Sequence, residues 1–383
     1  MAQEDRKLFG RRENDVSAQL IQFVDENVLA TLPEGTQVIG SFPHGASYWT
    51  RTAEIETRQA DGSPQSFFIK VARGDIGKAM VSGEFASMTA LHSVIPDATP
   101  APITWGTYSS DPDTHFFLCN FIDMTDEVPN PQIFTSKVAE FHMKGVSPNG
   151  KYGFSVPTYM GQMPQYTTWT DSWEEFFTNA MRKLMSVIEG KEDPDPEFRQ
   201  LFETVLEKVV PRLLRPLETG GRHIRPSLVH GNLYSGNVSV ETATGAPILY
   251  DATCLYAHNE WELAPWRPAR HKIGKPFVKA YFRNFPISAP EEDQDDRHTL
   301  YNLGWELKGA AIYPRDVRYK NYCIDSMRTL VDKFPEGYEG WAKEKGECPA
   351  PAPSVCRQPE IKKLLQEVPE KVKVLGRSST WST

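Results

Sequence analysis

The chain has 383 residues, 39% of them hydrophobic and 24% charged, and a net charge of −8 at pH 7. That length allows two lobes, each with its own core, in a composition typical of globular proteins. The acidic balance argues against nucleic acid as a main partner, and no apolar run approaches the roughly 20 residues of a membrane helix.

Residues 1–7 are polar and carry acids, and no apolar core follows, so the start reads as neither a secretory signal nor a transit peptide. Residues 14–30 predict an opening helix: Val16, Leu20, Val24 and Val28 recur at four-residue spacing, with Asn14 or Asp15 as cap. Strand-like runs follow at 36–39, 48–55 and 66–71. The small-residue turn His44-Gly45-Ala46-Ser47 separates the first two, and Asp61-Gly62-Ser63 the last two, as in an antiparallel meander. A helix is predicted over about 77–93, its apolar stripe formed by Met80, Val81, Phe85, Met88 and Leu91, with Glu84 on the same face. Two more strands are expected at 103–108 and 116–122. From Thr135 helical patterns dominate, at 136–144, 172–189 and 197–214, and again at 275–282, 293–312 and 321–333. The Pro-rich stretch after Cys348 reads as a peripheral extension. The expected organisation is a helical extension (1–35), a sheet N-lobe (36–124), a helical C-lobe (125–347) and a tail (348–383). Five scattered cysteines without metal-ligand spacing (Cys119, Cys254, Cys323, Cys348, Cys356) suggest reduced thiols and a cytoplasmic location.

The most informative stretch interrupts the helical region. A short apolar strand ends at His230-Gly231, Asn232 follows, and Asn237 lies five residues further on. A second hairpin strand, Ile248-Leu249-Tyr250, delivers Asp251. Phosphoryl transfer needs such a layout: an Asn and an Asp hold Mg²⁺ on the phosphates, and a group just after the His positions or deprotonates the attacking hydroxyl. Asn237 and Asp251 are therefore the metal candidates. Taken singly, each reads equally as a turn residue or strand cap; the spacing from His230-Gly231 favours the metal. Asn232 and His230 are the catalytic-loop candidates, although a His before Gly more often shapes the loop than acts as a base. Upstream, Phe67, Ile69 and Val71 face one way and Phe68, Lys70 and Ala72 the other. A lysine among apolar neighbours needs a counter-charge or a phosphate, and Glu84 can supply the former; the competing reading is a snorkelling surface lysine. Gly45, Ala46 and Ser47 are small enough to bring backbone N–H groups over phosphates, without a Gly-x-Gly-x-x-Gly spacing. Glu260 and Glu262 either reach substrate or fasten the loop, and the fastening role is the better fit.

These residues resemble the fructosamine kinase / ketosamine-3-kinase family, and the N-terminal pieces look like its fungal protein-ribulosamine 3-kinase branch. The likeness runs through 230–237, 250–251, 256–264, 295–303 and 334–341, and upstream through 68–71, 83–85 and 151–154, covering residues 36–345 in all. It implies an α+β, bilobal, protein-kinase-like fold of aminoglycoside phosphotransferase type, with a small antiparallel-sheet N-lobe and a larger, mostly helical C-lobe. It implies ATP and Mg²⁺, with the γ-phosphate passed to a hydroxyl of a ketosamine (fructosamine or ribulosamine, free or protein-bound). By position, Lys70 would hold phosphates and Glu84 would pair with it. Asn120, Phe121 and Ile122 would line adenine through backbone groups, and Asn237 and Asp251 would bind Mg²⁺. Asn232 stands where the family has Asp, and Tyr234 where Trp is usual. An amide keeps the shape of the acid but cannot accept a proton. Two alternatives follow: an impaired protein that binds Mg·ATP or a sugar-amine, and a kinase with another small-molecule acceptor.

Overall fold

The computed structural model describes residues 16–45, 47–191 and 196–347. The expected tail, the candidate caps Asn14 and Asp15, and Ala46 lie outside the described residues. Five antiparallel strands, β1 (Gln37–Pro43), β2 (Arg51–Arg58), β3 (Pro64–Arg73), β4 (Pro102–Thr107) and β5 (Thr114–Asn120), form one sheet in the order β1-β2-β3-β5-β4. The alternation along β3 divides the N-lobe in two. Phe67, Ile69 and Val71 pack outward into a core with Val16, Ile21 and Val28, while Phe68 and Ala72 pack inward on the main core. Inward means toward α1 (Gly74–His92), whose Val81, Met88 and Leu91 are fully buried.

The expected opening helix is not continuous. A 3₁₀ turn at Ala18–Ile21 and a helical turn at Glu26–Leu29 replace it. Asp25 caps the second turn through Asn27 N–H at 3.0 Å, and its carboxylate also accepts Ser109 N–H at 2.8 Å and the Ser110 hydroxyl at 2.7 Å. The apolar spacing is satisfied by covering the sheet, and the tertiary partners of Asp25 break the helix in the middle.

In the C-lobe, β6 (Met124–Thr125), α2 (Pro131–Lys144), the hairpin β7 (Tyr159–Met160) and β8 (Met163–Pro164), α3 (Trp173–Glu189), α4 (Pro196–Thr204) and α5 (Val210–Leu214) precede the catalytic strands. A π turn at Val205–Val209 separates α4 from α5. Pro211, with no N–H to donate and a ring that crowds the preceding turn, accounts for the break in the predicted helix over 197–214. Then come β9 (Ser227–Val229), β10 (Val238–Glu241), β11 (Pro247–Leu249), β12 (Leu255–Ala257) and a 3₁₀ segment Asn259–Trp266. Four helices complete the lobe: α6 (Lys275–Tyr281), α7 (Gln294–Ile312), α8 (Val317–Lys333) and α9 (Gly337–Lys345). Leu300, Tyr301, Leu303, Leu307 and Ala311 of α7 are fully buried. No helix among the described residues is long and apolar enough to cross a membrane.

Two connections fix the lobes against each other. Strand β10 pairs with β11 on one side and with β6 on the other, tying the interlobe linker to the catalytic hairpin. Helix α1 is bonded to the segment after Asp251. Ser87 Oγ accepts Cys254 N–H at 3.0 Å, and the Cys254 thiol donates to the Ser87 carbonyl at 3.4 Å. Gly83 lets α1 approach the Pro157 carbonyl, which a Cβ there would strike.

Candidate active site

Helix α1 and strands β3 and β11 converge on one lysine. Lys70 Nζ donates to both oxygens of Glu84 at 2.7 Å and to Asp251 Oδ1 at 2.6 Å. The lysine and glutamate side chains are 13% and 12% exposed, so this is no snorkelling pair. Burial opposes the charge on Lys70, but Asp251 and Glu84 outweigh it and raise its pKa. Burial raises Glu84 despite Lys70, and Asp251 adds to the rise. Desolvation works against the Asp251 carboxylate as well, yet Lys70 holds it below the usual carboxylate value. Three ionisable groups contributed by segments up to 181 residues apart thus form one electrostatic unit.

Asp251 sits at φ 59°, and among the described residues it is the one non-glycine at positive φ. Such a backbone costs about 1–2 kcal/mol for a residue with a Cβ, and this kind of strain gathers at functional sites. Asn237 lies beside it because Tyr250 N–H bonds the Asn237 carbonyl at 3.1 Å, one step beyond the pairing of Val238 with Leu249. Asn237 Nδ2 donates to the Asn232 carbonyl at 2.9 Å. With its nitrogen so engaged, the amide oxygen is the group left to act as a ligand. A carboxylate and an amide oxygen suit Mg²⁺, a hard cation that takes one or two protein oxygens plus phosphates and water. Among the described residues no cluster of three or more His, Cys, Asp or Glu offers a metal cage.

The loop between these elements is held by its backbone. Gly231 adopts φ +79°, and a Cβ there would collide with the Thr253 carbonyl. His230 Nε2 lies 3.0 Å from the Tyr250 carbonyl, and its Nδ1 accepts Asn232 N–H at 3.3 Å. The ring is therefore neutral, and burial keeps its pKa below the ordinary imidazole value despite Glu262 and Asp251 nearby. With both nitrogens engaged, His230 shapes the loop. Asn232 is 8% exposed, and its backbone N–H and carbonyl are both bonded, so the loop fixes where its amide projects.

Glu260 and Glu262 fasten this loop from behind. The Glu262 carboxylate accepts the N–H groups of His230 and of Gly231, the latter at 3.1 Å. Glu260 pairs with Arg297 at 2.9 and 3.1 Å and accepts Ser288 N–H at 2.9 Å. Arg297 also donates to the Ser288 and Pro290 carbonyls at 2.7 and 2.8 Å. Removing one partner of a buried pair leaves the other uncompensated, at about 3–5 kcal/mol. Arg297→Met is therefore expected to lower the melting temperature by well over 5 °C in a thermal scan, whereas an unchanged melt would show that the pair contributes nothing.

The glycine-containing turn between β1 and β2 touches both the linker and the C-lobe. His44 N–H donates to the Thr52 carbonyl at 3.1 Å, and its ring stands edge-on to Phe121 at 4.9 Å. Ser47 Oγ accepts Trp49 N–H and Thr50 N–H, both at 3.2 Å, so its hydroxyl braces the turn. Trp49 packs on Gly161 of the β7–β8 hairpin, reaching across to the C-lobe. In the linker, Asn120 N–H bonds the Ala101 carbonyl and Phe121 N–H the Ser66 carbonyl. Those two donors are engaged in the sheet, which leaves the expected adenine edge to other backbone groups of the same three residues. The residue that the motifs did not signal is Lys308, buried on α7. Its position among the apolar residues Leu307 and Ala311 was the available clue.

The fructosamine kinase family model matches residues 50–330. Over 238 residues the chain is 29% identical to the chloroplastic protein-ribulosamine 3-kinase of Arabidopsis thaliana, covering 62% of this chain and 69% of that one. It is 27% identical over 288 residues to the ketosamine-3-kinase of Mus musculus, covering 69% and 87%. A Thermobifida fusca structure assigned as a fructosamine-3-kinase superposes with a TM-score of 0.60 at 19% identity, over 83% of this chain and 99% of that one. The aminoglycoside phosphotransferase APH(4)-Ia, in a complex with AMP-PNP and hygromycin B, superposes with a TM-score of 0.52 at 13% identity, over 77% and 94%. At these identities the structural matches speak for the fold alone, and it is the expected one.

Proposed function

Because the chain belongs to the fructosamine kinase family and is a phosphotransferase, we propose that it transfers the γ-phosphate of ATP to a hydroxyl of a ketosamine of fructosamine or ribulosamine type, free or carried on a protein. The observation that carries this reading is Lys70 held between Glu84 and Asp251, at 2.7 and 2.6 Å. Such a lysine is placed to bind phosphate oxygens, with Glu84 fixing its direction. Asn237 and Asp251 would hold Mg²⁺, which when bound neutralises charge on the phosphate oxygens. Gly45 and Ser47 are the proposed cover over the phosphates, and the Phe121 carbonyl and Ile122 the proposed edge for adenine. His230 and Glu262 hold the loop so that Asn232 can bond the attacking hydroxyl through its amide oxygen.

The test is a phosphotransfer assay on a panel of free and protein-linked ketosamines with Mg·ATP. ADP release matched by phosphate on the sugar is the expected result; absence of transfer across the panel by highly purified protein would remove this reading. Asn232 favours a second reading, in which the chain binds Mg·ATP or a sugar-amine without turnover. A rise in melting temperature with Mg·ATP and no transfer would mark it. An acceptor of another class, in the same cleft, would register as ADP release outside the ketosamine panel.

A further inference from the structure

Two cations are buried among the described residues, Arg297 and Lys308. Arg297 has Glu260. Lys308 forms no ion pair among the described residues: its Nζ lies 2.8 Å from Gln165 Oε1 and 4.5 Å from the centre of the Trp261 ring. It is 7% exposed and lines two adjoining cavities. One is apolar and aromatic, with Met163, Tyr166 and Phe176 in its wall. The other is bounded by Gly231 of the catalytic loop, together with Trp261, Glu262 and Trp305. Trp305, one turn before Lys308, packs against Tyr234 with ring centres 6.2 Å apart, two residues beyond Asn232. Gln165 also donates to the Thr253 carbonyl at 2.9 Å, in the segment after Asp251. That carbonyl is the one against which Gly231 is packed.

The amine thus shares a cavity with Gly231 of the catalytic loop, Gln165 ties it to the carbonyl on which Gly231 packs, and no carboxylate among the described residues pairs with it. We propose that Lys308 accepts the proton of the attacking hydroxyl, directly or through one water, in the role that the Asn232 amide cannot fill. This rests on the kinase reading above. The hydroxyl O–H bond breaks as its oxygen bonds the γ-phosphorus, and the proton passes to the lone pair of Nζ. The bond from the γ-phosphorus to the β–γ bridging oxygen breaks, and ADP leaves with that electron pair. The ammonium then returns its proton to bulk water.

The surroundings keep the lone pair available. Burial lowers the Lys308 pKa, and Glu262 only partly opposes it, leaving it at about 7. The other titratable groups facing the two cavities are Lys183, Tyr166 and Tyr301. Glu262 is already committed to two backbone N–H groups of the loop. A base with a pKa near the working pH is the efficient choice.

The experiment is a double-mutant cycle read as kcat and as a pH profile. Lys308→Met in the natural chain is expected to lower kcat about 10²-fold, the lower end of what a general base contributes. In Asn232→Asp, which carries its own carboxylate, the same change is expected to cost no more than about threefold. Equal losses in the two backgrounds would overturn the proposal, since a merely structural or substrate-binding lysine costs the same in both. The pH profile leaves Lys308 intact and so does not depend on folding of the variant. In the natural chain kcat/KM should rise through about pH 7 as the amine loses its proton, and in Asn232→Asp that limb should move down to the carboxylate range; a limb at the same pH in both would overturn it. If the natural chain transfers phosphate and the two losses are equal, only the Lys308 proposal falls; if it is inert while Asn232→Asp is active, the reading of binding without turnover replaces the kinase reading and this proposal falls with it. If both are inert on the ketosamine panel, the kinase reading falls and takes this one with it.

Discussion

Asp251→Asn is expected to cost phosphate transfer about 10³-fold or more while leaving the chain folded. In the proposed role, the charge that this carboxylate would direct at a cation on the phosphates is worth several kcal/mol in the transition state, and about 1.4 kcal/mol is a factor of ten. Asparagine is the informative replacement. It tolerates the left-handed backbone at φ 59°, which alanine would adopt only at a cost of about 1–2 kcal/mol, so loss of activity would not be confused with loss of structure. Lys70 keeps Glu84 as a partner in the variant. Because Lys70 holds Asp251 below the ordinary carboxylate value, the group stays ionised throughout a neutral assay range. The acid limb of the profile therefore does not belong to Asp251. ADP release with a ribulosamine-type acceptor, alongside a thermal melt, is the measurement. A variant that retained more than about a tenth of the parent rate would contradict a loss of this size and remove Asp251 from the site.

Asn232→Asp is expected to move activity the other way, raising kcat roughly 10- to 100-fold. A positioned base contributes roughly 10²–10⁴-fold, and part of that is already supplied if Lys308 takes the proton. The loop is built to present the new carboxylate without change: the 232 N–H and carbonyl are fixed by His230 and Asn237, at 3.3 and 2.9 Å. Asp and Asn also have the same shape. The rest of the rate comes from positioning and charge in a loose transition state, which the substitution leaves in place. Matched kcat and KM on the same ketosamine decide the matter. A gain confined to kcat shows that the amide limits the chemical step, whereas no gain would show that position 232 does not take part in it.

Much of the site is legible in the chain because it depends on short-range geometry. The alternation Phe67 to Ala72 puts Lys70 on the inner face of a strand, and the helical stripe of α1 puts Glu84 opposite it. The spacing between Asn232 and Asn237 survives as a direct bond, Nδ2 to carbonyl. What was not legible depends on distant partners. Residues 14–30 have a sound helical period, yet Asp25 finds Ser109 and Ser110 more than 80 residues away and the helix gives way. The linker strand was foreseen, but not which of its N–H groups the sheet would claim. Lys308 was missed because a lone lysine in a helical run reads as solvent-facing, and its burial follows from how α7 passes through the middle of the lobe.

The bond between Ser87 and Cys254 has a bearing on control. In kinases that are switched, the helix carrying the glutamate moves to make or break its pair with the lysine. Here that helix is stitched to the segment that follows Asp251, so swinging it out would pull on that segment too. Moving α1 away from Lys70 therefore means giving up those two buried bonds as well as the ion pair.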